Sequence, residues 1–151
     1  MFKMFSGEKG AVPLWIIVFV VAAVLVVVFL KPIKNRWNLA MCKNKVSVIR
    51  KLQQSYYDSN AKFAEHPDDL KSNKNYPKLE PVCIRVGEET EYFTDGSEQP
   101  TEWEVRVMVA GEWDGECFVF ANKQGTFVEG SCASEKERKK AAEVLGYEEE
   151  E

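Results

Sequence analysis

Four cysteines, one histidine and two acidic turns are the residues of this 151-residue chain whose chemistry could reach beyond packing. Cys42, Cys83, Cys117 and Cys132 are an even number in a small chain, which suits disulfides in an oxidising compartment, and four cysteines allow three pairings. No two stand in a CxxC spacing, and with only His66 to join them a zinc site is not expected. Free buried cysteines are the plain alternative. His66 precedes Pro67 in a turn, and no Ser or Cys lies at a motif spacing that would make it a general base, so a solvated or helix-capping histidine is expected. The chain has no Gly-rich phosphate loop and no dinucleotide fingerprint. Asp95-Gly96-Ser97-Glu98 and Asp114-Gly115-Glu116 offer carboxylates, but they lack the ligand count of an EF-hand loop, and calcium is not expected. These residues point away from an enzyme and imply no cofactor.

The elements that must position them begin with an unbroken apolar run from Val12 to Leu30, which includes Trp15 and carries no charge. Nineteen helical residues at ~1.5 Å rise cover about 28 Å, close to the hydrocarbon thickness of a bilayer. A cleaved secretory signal competes, since Lys3 and Lys9 give a positive flank, but such signals have apolar cores of roughly 7 to 15 residues and end in small residues. Here the run is longer and ends in Phe29, Leu30, Lys31 and Pro32. The expectation is one membrane helix near the N-terminus, with Trp15 and Trp37 toward opposite interfaces, followed by 121 residues, enough for one modest domain.

The net charge of -4 hides an asymmetry. Lys31, Lys34, Arg36, Lys43, Lys45, Arg50 and Lys51 precede Tyr57 without one acid, whereas residues 58–151 hold 11 basic and 23 acidic side chains. The stem cations are expected beside lipid headgroups, and nucleic-acid binding is not expected with so acidic a head. Orientation is contested: the positive-inside rule puts the head in the cytoplasm, and the cysteines argue for an oxidising side.

Pro13 opens the apolar helix and Pro32 falls after its end, where it kinks a helix or stops it. Leu39, Cys42, Val46, Ile49, Gln53, Tyr56, Asn60 and Phe63 recur at spacings of three and four, which predicts an amphipathic stem helix from about Asn35 to Ala64. His66 to Leu70 reads as a turn and short helix, and Lys71 to Pro81 as loop. The period then changes to two. Val82 to Val86, Glu91 to Thr94, the alternating stretch Trp103 to Val109, and the pair Glu116 to Ala121 with Thr126 to Ser131 predict three or four antiparallel strands, one face against the stem. Trp37, Tyr56, Tyr57, Phe63, Trp103, Trp113, Phe118 and Phe127 are expected in the core. Ser134 and Glu137 form a capping box for a last helix that stops at Gly146, before the acidic tail Glu148 to Glu151. The fold class is thus α+β: a leader-like basic N-terminus over 1–10, a transmembrane helix over 11–31, a stem helix over 32–64, a small antiparallel β head over 65–133, and a C-terminal helix and tail over 134–151.

In this order the elements resemble a type IV pilin or pseudopilin. Lys9-Gly10 matches the end of a prepilin leader, and counting from Ala11 puts Pro32 at the twenty-second position, where many pilins carry a helix-kinking proline. Cys42-Lys43-Asn44, Leu52 to Tyr57, Asp68-Asp69-Leu70, Tyr76, and Pro81 to Cys83 follow in the order that small pseudopilin-like heads show. Two positions depart from the family: Ala11 stands where a Phe or Met usually follows the cut, and Trp15 replaces the membrane-buried Glu that pairs with a neighbouring subunit's amine.

The resemblance implies a non-enzymatic structural or assembly subunit, whose partners are membrane lipid and other membrane-helix subunits of a filament or complex. Its Gly10/Ala11 site is either processed, in a minor or tip-located pilin-like subunit, or never cleaved, in a bitopic assembly protein. The expected location is the inner (cell) membrane, single-pass, with a periplasmic or extracellular head. The alternatives are an accessory subunit of another membrane complex with its head on the cytoplasmic or organelle-interior side, and a periplasmic ligand-binding module on an anchor. For the bridges, Cys117 with Cys132 or Cys83 with Cys132 is expected, because the last strand should lie near both.

Overall fold

A computed structural model describes residues 13–84 and 92–147. The elements are helix α1 (Leu14–Asn60), helix α2 (Pro67–Lys71), strands β1 (Cys83–Ile84), β2 (Tyr92–Thr94), β3 (Trp103–Val109), β4 (Cys117–Asn122) and β5 (Gly125–Gly130), and helix α3 (Glu135–Leu145). The fold is α+β: a long N-terminal apolar helix, a small antiparallel sheet and a short C-terminal helix. Internal contacts divide the chain between Ile33 and Lys34, and the two units are described separately.

The first unit is helical from Leu14 onward, and α1 is assigned straight through Pro32. A proline inside a helix forfeits one backbone bond, and of the two expected outcomes at Pro32 the stop does not occur. Its large apolar residues are bare: Leu14 is 79% exposed and Phe19 71%.

The second unit folds around the later turns of α1. Asn38, Cys42, Val46, Ile49 and Gln53 recur every three to four residues and are buried. They meet the inner face of the sheet, where Val105, Val107, Val119 and Val128 alternate with outward-facing neighbours. The register Val107↔Val119 and Val119↔Val128 puts three valines in one row across β3, β4 and β5. Branched side chains of this kind fill a pleated surface against a helix, and each full burial is worth about 1.5–3 kcal/mol. Such layering needs the switch from period 3.6 to period 2 that the sequence displays.

Among the described residues five strands form where three or four are expected. β1 and β2 share the free edge of β3, β1 opposite Met108 and Val109 and β2 opposite Trp103 to Val105. Each is too short to announce itself by alternation. Of the expected strand Val82 to Val86, only Cys83–Ile84 falls on a described strand; Arg85, Val86 and Glu91 lie outside the described residues. The β4–β5 hairpin closes on Lys123-Gln124, with the Asn122 side-chain oxygen accepting from the Gln124 and Gly125 N–H groups at 2.9 and 3.3 Å.

The stem helix ends at Asn60, four residues short of the expected Ala64. Ala61 takes a left-handed φ of 56°, its N–H bonding to the Tyr57 carbonyl at 2.7 Å, and this turns the chain back along α1. Phe63 and Ala64 reach the core from that turn rather than from the helix, and Asn60 is exposed. The C-terminal helix follows expectation, with Ser134 Oγ accepting from the Glu137 N–H, the Glu137 carboxylate accepting from the Ser134 N–H at 3.0 Å, and Gly146 left-handed at its end.

Candidate functional site

Two surfaces carry chemistry: the bare apolar part of α1, and the contacts that hold the later part of α1 against the head. In the first, Trp15 is 64% exposed and Leu30 57%, and the best 18-residue window has a mean hydropathy of 3.0 with none of it buried. This helix is long and apolar enough to cross a membrane. Gly10 and Ala11, the expected processing site, and Val12, the expected first anchor residue, lie outside the described residues.

In the second unit both disulfides form. Cys42 on α1 pairs with Cys83 on β1, and Cys117 on β4 pairs with Cys132 beyond β5, each with Cα atoms 5.4 Å apart. Cys117–Cys132 is one of the two expected bridges; Cys83 joins Cys42 instead of Cys132. The reason is the layering: Cys42 lies on the buried stripe of α1, and β1 lies on the edge of β3 remote from β5.

The stem cations divide in a way composition does not reveal. Lys45 Nζ donates to the Lys78 and Leu79 carbonyls, Arg50 Nε and Nη2 donate to the Asn122 and Lys123 carbonyls at 3.1 Å each, and Lys43 pairs with Glu137 at 3.2 Å. Against the expectation that all seven sit beside lipid headgroups, these three are engaged by the head. A hydrogen bond to a charged donor is among the stronger ones a surface can make.

Polar side chains of α1 complete the seam. Asn35 Nδ2 donates to the Glu112 carbonyl at 2.6 Å while its Oδ1 accepts from the Glu112 N–H at 3.3 Å, and Asn38 Nδ2 donates to the Ala110 carbonyl at 2.8 Å. Gly111 sits between these contacts at φ +149°, and a Cβ there would come within 2.6 Å of Asn35 Oδ1. At the far end Gln53, wholly buried, accepts from the Ala64 N–H at 3.0 Å and donates to the Tyr92 hydroxyl, which donates to the Ala64 carbonyl. Burial pushes the Tyr92 hydroxyl far above its ordinary value, so it stays a neutral donor. No local pattern marks Asn38, and Gln53 stands out only as part of the stripe.

The remaining candidates resolve into structural roles. His66 is exposed before α2, and its backbone N–H donates to Asp69 Oδ2 at 3.4 Å. It borders an open groove of ≈ 490 Å³ with Glu65, Asp68, Lys71 and Tyr92. Asp95 is a loop staple: Oδ1 accepts from the Ser97 N–H and hydroxyl, and Oδ2 from the Thr101 N–H, the Thr101 hydroxyl and the Glu102 N–H. Hydrogen bonds from the Thr101 backbone and then the Ser97 hydroxyl hold its carboxyl far below the usual range. Among the described residues no three His, Cys, Asp or Glu side chains converge as a metal site would require.

The expected aromatic core is only partly so. Phe63 and Trp103 are buried, but Trp37 and Tyr57 are 57% and 41% exposed. On the outer sheet face the Arg106 guanidinium lies 5.2 Å from the Phe120 ring centroid and pairs with Glu104 and Glu129. Comparison with protein-family models, curated proteins and solved structures finds no match for the chain.

Proposed function

We propose that this chain is a non-enzymatic, membrane-anchored structural or assembly subunit of the kind represented by minor type IV pilins and pseudopilins. The observation that carries the reading is α1: its early turns bare an unbroken apolar surface, and its later turns supply the buried stripe beneath an antiparallel sheet. Exposed apolar area on that scale needs lipid or apolar helices as its solvent. Ala22 and Ala23 allow close helix contact, though the run contains no GxxxG.

Paired cysteines support a head on an oxidising side, periplasmic or extracellular, of a cell membrane. The positive-inside argument loses force once Lys43, Lys45 and Arg50 are seen to serve the head. Affinity purification of the full chain from crosslinked membranes tests the reading. Recovery with a filament, a secretion machine or another multi-helix membrane complex supports it, and recovery as an isolated chain sinks it. N-terminal sequencing then separates a processed subunit, beginning at Ala11, from a bitopic one beginning at Met1.

A second reading is an accessory subunit with its head on the cytoplasmic or organelle-interior side, favoured by Lys31, Lys34 and Arg36 just after the apolar run. Thiol labelling of unreduced cells separates the two. Native cysteines labelled only after permeabilisation argue for the inward head.

A further inference from the structure

We infer that Lys34 and Arg36, with Trp37 beside them, form a collar that selects anionic phospholipid headgroups over zwitterionic ones, a role that Lys43, Lys45, Arg50 and Lys51 do not share. The inference rests on the membrane-anchor reading above. Its basis is the division of labour along α1. Lys43, Lys45 and Arg50 face the head and are half-buried against Glu137, the Lys78 and Leu79 carbonyls, and the Asn122 and Lys123 carbonyls. The Lys34 and Arg36 side chains are exposed and make no hydrogen bond or ion pair with another described residue, and they stand four and six positions beyond Leu30.

Trp37 adds a second observation. Its neighbour Asn38 is 6% exposed and bonded to the Ala110 carbonyl, whereas Trp37 is 57% exposed in a unit whose other tryptophans are buried or half-buried. A large indole left bare beside two cations whose side chains no described residue pairs, a few residues past an apolar run, matches the chemistry of the headgroup layer. There the ring meets the acyl boundary and the cations meet phosphate. Charge complementarity then decides the lipid: a choline or ethanolamine headgroup carries its own cation and offsets its phosphate, whereas phosphatidylglycerol presents the phosphate charge uncompensated. Lys51 supplies an internal control, being exposed as well but twenty-one positions beyond Leu30.

The test uses the full chain in detergent micelles, supplied with equal amounts of phosphatidylglycerol and phosphatidylcholine, with retained lipids counted by native mass spectrometry. At roughly fivefold per cation near an anionic surface, the chain should retain phosphatidylglycerol about 10- to 30-fold over phosphatidylcholine. The Lys34→Gln/Arg36→Gln variant should lose most of that preference with the head's melting temperature unchanged. Lys51→Gln should keep the full preference. Lys45→Gln should keep it too while melting lower. Equal retention by the native chain, a preference that survives Lys34→Gln/Arg36→Gln, or one lost in Lys51→Gln or Lys45→Gln overturns the collar. Failure of the anchor itself looks different: the native chain then retains neither lipid and does not enter vesicles.

Discussion

Between Leu14 and Leu30, α1 leaves Leu14, Phe19 and Leu30 between 57% and 79% exposed; between Asn38 and Gln53 it turns five residues inward at 0–6%. The backbone geometry is the same in both stretches, so the difference lies in what the side chains require as solvent. The early turns are apolar on every side and have no inner face to choose. The later turns alternate, and where the stripe contains Asn or Gln the polar groups are matched to backbone atoms of the head. A buried amide without such partners would cost about 1–3 kcal/mol. A helix can therefore be stable in two different environments along its length, provided its pattern changes where the environment does.

The sharpest way to break this contrast is to sever its covalent tie. Replacing Cys42 and Cys83 by Ser opens a link of sequence separation 41, and the head should lose about 2–5 kcal/mol, read as a lower melting temperature of the full chain in micelles. If stability is unchanged, the bridge does not hold β1 to α1.

Truncation at matched positions comes next. Ile49→Ala removes a side chain that is 1% exposed and should cost about 2–5 kcal/mol, whereas Val24→Ala, at 56% exposure, should leave head melting unaltered. Equal effects would erase the distinction between the two stretches. Gln53→Leu probes the polar part of the seam. It leaves the Ala64 N–H without its acceptor and should cost about 1–3 kcal/mol, with Tyr92→Phe a smaller loss on the same assay.

The smallest effect belongs to the cap of α3, where Ser134→Ala should cost about 1 kcal/mol. Glu137 adds a pH signature. Burial alone would raise its carboxyl above 4.5, but hydrogen bonds from the Ser134 N–H and hydroxyl and the Lys43 ammonium outweigh it and the value is lowered. A carboxyl lowered on folding stabilises above its unfolded value and loses that contribution as pH falls through the folded one. Thermal melts from pH 6 down to 3 should therefore show a shallower decline in Glu137→Gln than in the native chain.

Local signals proved the most legible. The Ser134-x-x-Glu137 box, Gly146, Pro67 after His66, and the alternation from Trp103 to Val109 all act within a few residues, and the structure carries each of them where the pattern puts it. β1 and β2 were harder because strands of two and three residues exist only by pairing with β3. The stem ends before the expected Ala64 because Ala61 and the Gln53 clasp turn the chain, although Phe63 continues the helical spacing. Asp95 reads as a possible ligand in isolation and as a staple only once Ser97, Thr101 and Glu102 are folded around it.

By itself, the order of residues determined an apolar run of spanning length, a stripe at helical period, a switch to period two, a basic stem with an acidic head, and a capped last helix. Each depends on side-chain character repeated over short distances. Folding alone decided which cysteines meet, which of seven cations serve the head, and why Asn35, Asn38 and Gln53 belong on a helix that packs. Those outcomes depend on atoms brought together across 11 to 94 positions of chain. No local pattern can specify such pairs, because the register that creates them is settled only when the sheet closes onto the helix.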